Sequence, residues 1–206
     1  MATMLDIMMS MVLGAILFMN IINATGIVSE NSVIFNGDVA VQQMLISNAQ
    51  LVEGEFRNMG MGVDEKKPTV LAATDTSIKF LSDLARDGSP DTISYWMGST
   101  SELAQTQNDS DRLLHRQVNH GPIQSVGAVT KFYMRYYSQG LMDTLVPPIA
   151  PIDMQMIKVV EITMEVQNPY ALYRDPRDVH AGTDRDALYS SSYWRQTRLA
   201  SQNLKR

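Results

Sequence analysis

The chain has no cysteine at all. Disulfides, a thiolate nucleophile and thiolate metal sites are thereby excluded, and the redox compartment is left open. Positive charge is the second scarcity. No Lys or Arg occurs before Arg57, and no basic cluster appears anywhere along the sequence, whose 17 Lys and Arg face 22 Asp and Glu for a formal charge of -5. Nucleic acid is therefore not an expected partner. Signatures of catalysis are missing too: there is no G-x-S-x-G around Ser190, Ser191 and Ser192, no phosphate loop and no dinucleotide fingerprint, and Gly60 and Gly62 close a helical stretch rather than open one. The expectation is a protein that is not an enzyme and needs no cofactor.

What the chain has in excess is a long apolar run at its start. Leu5 to Ile22, LDIMMSMVLGAILFMNII, carries one charge, Asp6, and two further polar residues, Ser10 and Asn20. At about 1.5 Å rise per residue it covers most of a roughly 30 Å hydrocarbon core, the more so if the helix continues toward Ile27 and Val28. A membrane span is the leading reading, with the lipid bilayer as its first partner. A cleaved signal peptide fits less well, because Asp6 replaces the usual basic start, although Ile22-Asn23-Ala24 offers a cleavage-like site. A buried core helix is the third reading, disfavoured by the length and terminal position of the run. Orientation cannot be scored from positive charge. Asp6 is the odd residue: a carboxylate at the head of an apolar helix suits the helix dipole but not lipid, so it calls for a partner. Four of the 15 methionines, Met8, Met9, Met11 and Met19, lie in this same run, where unbranched side chains adapt to irregular packing.

After the apolar run the period becomes amphipathic, with Ile34, Val41, Leu45, Val52, Phe56 and Met59 at steps of seven, four and three. One long helix is expected, weakened at Gly26 and Gly37 and stopped by Gly60, Gly62 and then Pro68. Residues 1–26 form the anchor; residues 27–206 form the amphipathic helix and a globular head.

Beyond Gly62 the period falls to two. Ser77 to Leu84 and Thr92 to Met97 read as a hairpin around the turn Asp87-Gly88-Ser89-Pro90-Asp91, and Arg112 to Val118 as a short strand. Val126 to Tyr137 reads as one strand with Phe132, Met134 and Tyr136 on one face. Val160, Ile162, Met164 and Val166 alternate with Glu161, Thr163, Glu165 and Gln167, a strand with one wet face that ends at Asn168-Pro169. Ala171 to Ser192 reads as loop, and Tyr193 to Leu199 as a last strand. The fold class is α+β, a long N-terminal helix packed on an antiparallel sheet.

Metal ligation has weak candidates. His115 and His120 fall on opposite faces of a strand, and His180 is remote. Asn108-Asp109-Ser110-Asp111 and the acids from Asp175 to Asp186 lack the twelve-residue calcium loop with its central Gly and terminal Glu, so solvated loop acids are expected.

These features together resemble the type IV pilin superfamily, and within it the PilW-like minor pilins and the J-type pseudopilins of type II secretion systems. If Met1 is removed, Ala2 is first and Asp6 falls fifth, in the register of the acidic residue of that family. LVEGEFRNMG at 51–60 is similar to its helix-ending Arg-x-x-Gly segment. Ile93 to Tyr95, LLHR at 113–116 and VTKFYMRYYSQG at 129–140 resemble its succession I-x-Y, L-x-R and V-x-x-F-x-x-x-Y-Y-x-x-G. Met156 to Val166 resembles its next strand, and Ala200 to Leu204 its terminal Arg-Asn-Leu, with Gln202 at the Arg place. The chain departs from the family where a basic leader ending in Gly and an aromatic first residue are usual, and where Asp6 stands for Glu. The resemblance implies a subunit that initiates, primes or caps a type IV pilus or pseudopilus. It implies Ala2 and Asp6 as subunit-assembly residues. The partners implied are other pilins or pseudopilins and an inner-membrane assembly platform, and the location a single-pass inner-membrane protein with its head in the periplasm or outside. The alternative is a membrane-anchored or secreted binding domain that joins no filament.

Overall fold

The structure, a computed structural model, describes residues 2–64, 67–106, 108, 110–138, 144–174 and 188–200. Helix α1 runs Ala2–Arg57. The chain divides into two compact units, Met1–Val39 and Ala40–Arg206. The described residues of the first are helix alone, and none of their described apolar side chains is buried.

The second unit begins with the amphipathic part of α1. Val41, Leu45, Ala49, Val52 and Phe56 are buried, as is Met59 just beyond the helix, so the stripe read from the sequence is the one that packs. Ile34, the first member of that stripe, has no described side chain. The helix stops where backbone conformation requires it. Gly60 and Gly62 have φ of 82° and 73°, values that cost glycine nothing. Gly62 also has no room for a side chain, since a Cβ there would stand 2.7 Å from that of Asp83. The turn is stitched to the first sheet by Gly60 N–H to the Leu81 carbonyl (2.8 Å), Asp83 N–H to the Met61 carbonyl (2.9 Å) and the Ser82 hydroxyl to the Asn58 carbonyl (2.7 Å).

Nine strands follow among the described residues: β1 Val70–Ala73, β2 Ser77–Ser82, β3 Asp91–Met97, β4 Arg112–Val118, β5 Gln124–Val129, β6 Lys131–Tyr137, β7 Thr144–Leu145, β8 Val159–Arg174 and β9 Leu188–Leu199. They form two antiparallel sheets, one in the order β1-β2-β3-β4-β5 and one in the order β7-β6-β8-β9. The expected hairpin is β2–β3, with Ile78 opposite Tyr95 and Phe80 opposite Ile93, all four buried. Its turn is held by Asp83, whose carboxylate accepts from the N–H groups of Asp87 and Gly88 at 3.1 and 3.0 Å. Phe56 of the helix meets Phe80 edge-on at 5.0 Å and Tyr95 at 5.6 Å, which places the helix over the middle of the first sheet.

Four details differ from the sequence reading. Where a single sheet was expected there are two. Val126 to Tyr137 is not one strand: the chain leaves the first sheet at Val129 and enters the second at Lys131, pivoting on Thr130, whose N–H bonds the Glu165 carbonyl at 2.9 Å. Phe132, Met134 and Tyr136 do share the buried face, but Val129 is buried as a member of the other sheet. The strand containing Val160 runs past Asn168-Pro169 to Arg174, because it pairs with β9, itself longer than expected and starting at Leu188; an irregularity in register between Gln167 and Leu172 absorbs the proline. β1 is an addition, paired with β2 at the edge of the first sheet.

Candidate functional site

The two residues expected to mediate assembly sit at the start of α1. Ala2 is its first residue and Asp6 lies one turn later, about 6 Å along the axis. Met1 lies outside the described residues. Asp6 is exposed and has no hydrogen-bond or ion-pair partner among the described residues. The polar side chains further along behave otherwise. Ser10 Oγ donates to the Ile7 carbonyl, Asn20 Nδ2 to the Ile16 carbonyl and Thr25 Oγ1 to the carbonyls of Ile21 and Ile22, each at 2.9 Å. The two hydroxyls are thereby satisfied by the helix itself and the Asn20 amide in part, which eases their entry into an apolar medium. A carboxylate cannot be satisfied by helix carbonyls, which are acceptors only, so Asp6 needs a donor from elsewhere.

Between Asp6 and Glu30 no residue is charged. Across Met4 to Val28 the large apolar side chains are 51–74 % exposed. This is one helix long and apolar enough to cross a membrane.

In the second unit the helix is held by two carboxylates, one to each sheet, and sequence reasoning assigned neither. Glu55 accepts from Tyr95 Oη at 2.5 Å and from Arg116, whose Nε lies 2.9 and 3.0 Å from its two oxygens and whose second guanidinium nitrogen lies 2.5 Å from Oε1. Arg116 also donates to Gln124 Oε1 at 2.6 Å. This is a paired, largely buried charge between the helix and β3, β4 and β5. Burial, with Glu55 beside it, pushes the Tyr95 hydroxyl far above its ordinary range, and the bond to Glu55 raises Arg116 further. Glu53 reaches the other sheet, accepting from Arg195 Nε and Thr197 Oγ1, both at 2.7 Å. The signal was present in part: Tyr95 and Arg116 belong to the quoted motifs, and both acids lie in LVEGEFRNMG.

The metal candidates resolve individually. His115 Nε2 is 2.7 Å from Glu102 Oε2 and its ring stacks near Trp96, whereas His120 is exposed in the turn after β4. His180 and the acids from Asp175 to Asp186 lie outside the described residues. Among the described residues no three His, Asp or Glu side chains are placed to hold a metal ion. Asn108 and Asp111 correct the reading of solvated loop residues, for both are buried. The loop folds onto the second sheet through Asn108 Nδ2 to Gln167 Oε1 at 2.8 Å. Burial raises the Asp111 carboxyl above its usual range against the opposing hydrogen bond from Thr106. Asp109 lies outside the described residues. Ser192 is part of β9, where its hydroxyl donates to Glu165 at 2.9 Å.

No protein-family model and no curated protein matches the chain. Among solved structures it is similar to the type IV-like pilin TTHA1219 from Thermus thermophilus, with 12 % identity, 80 % of this chain and 97 % of that chain covered, and a TM-score of 0.47. A likeness of that depth carries no weight for function, which rests on the chain's own residues.

Proposed function

We propose that the chain is a minor pilin or pseudopilin subunit that initiates, primes or caps a type IV pilus or a type II secretion pseudopilus. The observation that carries this reading is the first stretch of α1, an apolar helix whose described side chains are exposed, with one carboxylate at its head that has no partner among the described residues. Residues 1–26 are stored in the inner membrane with the head in the periplasm or outside. On assembly, drawn in by an inner-membrane platform, the helix exchanges lipid for the helices of other pilins or pseudopilins, and its Met, Leu and Ile side chains adapt to the new neighbours. Asp6 then takes an α-amino group as its cation, that of Ala2 once Met1 is removed or that of an adjacent subunit. A carboxylate left alone in that apolar setting would cost several kcal/mol (about 3 or more), so the pairing sets the axial register of the subunits.

The test is Asp6→Asn in the full chain. Membrane insertion and the melting of the head are expected to stay as in the wild type, while incorporation into filaments, or support of secretion, is lost. Unimpaired assembly together with wild-type recovery of partner subunits would favour the alternative, an anchored binding domain outside any filament.

A further inference from the structure

The outer face of the second sheet is laid out by its register in three rows across β6, β8 and β9: Lys131, Glu165, Trp194; then Tyr133, Thr163, Gln196; then Arg135, Glu161, Arg198. The column of acids is covered and the flanking columns are not. Glu161 is 1 % exposed, lying under Arg198 and Tyr137 with Arg135 at 3.8 Å, and Glu165 accepts from Lys131 at 2.8 Å, Gln167 at 2.9 Å and Ser192 at 2.9 Å. Outward stand Lys131, Arg135 and Arg198, with side chains 53, 70 and 57 % exposed, and beside them the rings of Trp194 and Tyr133 at 64 and 44 %. A chain with a formal charge of -5 thus presents here a face whose exposed charges, among the described residues, are all positive. The three cations are 131, 135 and 198 in sequence, which is why no basic run announced them.

We propose that this face docks an acidic surface of another protein. Trp, Tyr and Arg are the residue types that supply most of the binding energy in protein interfaces, and here they share one rigid sheet, already ordered by the Glu161 and Glu165 contacts. The exposed cations set the sign of the partner. A phosphate polymer fits less well, because three cations over two carboxylates leave only one net positive charge, whereas affinity for such a polymer grows with each phosphate neutralised. The inference is independent of the role of the N-terminal helix, and its failure leaves that role untouched.

The full chain in detergent is titrated at low ionic strength with fluorescein-labelled poly-L-glutamate and, separately, with a labelled thymidine oligonucleotide, reading fluorescence polarisation. Saturable binding of poly-L-glutamate is expected, weakened about tenfold or more by Lys131→Glu with Arg135→Glu and unchanged by Lys79→Glu on β2 of the other sheet. Should the charge-reversed chain melt early, Trp194→Ala with Tyr133→Ser removes only exposed rings, and a loss of about threefold or more is expected. No saturable binding, binding undiminished in the variants that remain folded, or tighter binding of the oligonucleotide would overturn the proposal.

Discussion

The same helix has two halves that obey different rules. In residues 40–57 one stripe of apolar side chains, Val41, Leu45, Ala49, Val52 and Phe56, is spaced at helical steps and buried, while Ile46 and Leu51 on the other side are exposed. In residues 3–39 apolar side chains point to every side and none of those described is buried. A helix apolar all round is at home either inside a bundle or in lipid. The second half is completed by its own head, whereas the described apolar side chains of the first half stand exposed.

Removing the first half is the harshest test of that contrast. A chain beginning near Ile27 should lose membrane association entirely while its head still unfolds cooperatively, as judged by fractionation and thermal melts. Aggregation of that fragment, alongside a stable secreted protein cut at Ala24, would instead support a signal peptide. Next in size is the junction between helix and head. Glu55→Ala leaves Arg116 buried without its partner and should cost about 3–5 kcal/mol in denaturant melts. Leucine truncation compares the halves directly: Leu45→Ala should cost about 2–5 kcal/mol of head stability, and Leu13→Ala, on the exposed stretch, no more than about 0.5 kcal/mol. Within the second sheet Ile162→Ala should likewise cost about 2–5 kcal/mol and Thr163→Ala little, and equal effects would refute the alternation along β8.

The smallest effect is on pH. For Glu161, burial alone would raise the carboxyl, but Arg198, Gln196 and Tyr137 outweigh it and hold it below the usual value of 4.5; Glu165 is held down likewise by Lys131, Gln167 and Ser192. Folded-state values below the unfolded ones mean that this stabilisation is complete above pH 4.5 and is lost as pH falls through the folded values. Asp111, raised by burial, has the opposite sign and gains stability as pH falls through its folded value toward the unfolded value of 3.8. Melts from pH 7 downward should therefore show an acid loss that is shallower in Glu161→Gln and steeper in Asp111→Asn.

Much of this architecture is legible in the sequence for a physical reason. Helical and strand periods are one-dimensional signals of which face is buried, so Val41 to Phe56 and Val160 to Val166 could be read directly. The division of Val126 to Tyr137 could not, because the change of sheet at Thr130 leaves the local alternation intact from Lys131 onward and only long-range pairing reveals it. β1 was missed for a similar cause: Val70–Ala73 is four residues long and its ends, not its alternate positions, are buried. The extension of β8 past Pro169 ran against a residue that normally ends strands. Asp6 stands out as an isolated charge in an apolar run, whereas nothing in the sequence distinguishes Glu53 and Glu55 from other acids, because Arg195, Arg116 and Tyr95 reach them only through the fold.

The central claim is that the exposed apolar half of α1 is covered by other helices when the protein works. A photoreactive residue in place of Leu13, illuminated in native membranes, measures this directly. The account predicts protein adducts larger than the single chain, lost when Asp6→Asn is added. Adducts confined to lipid, or protein adducts indifferent to Asp6, would contradict it.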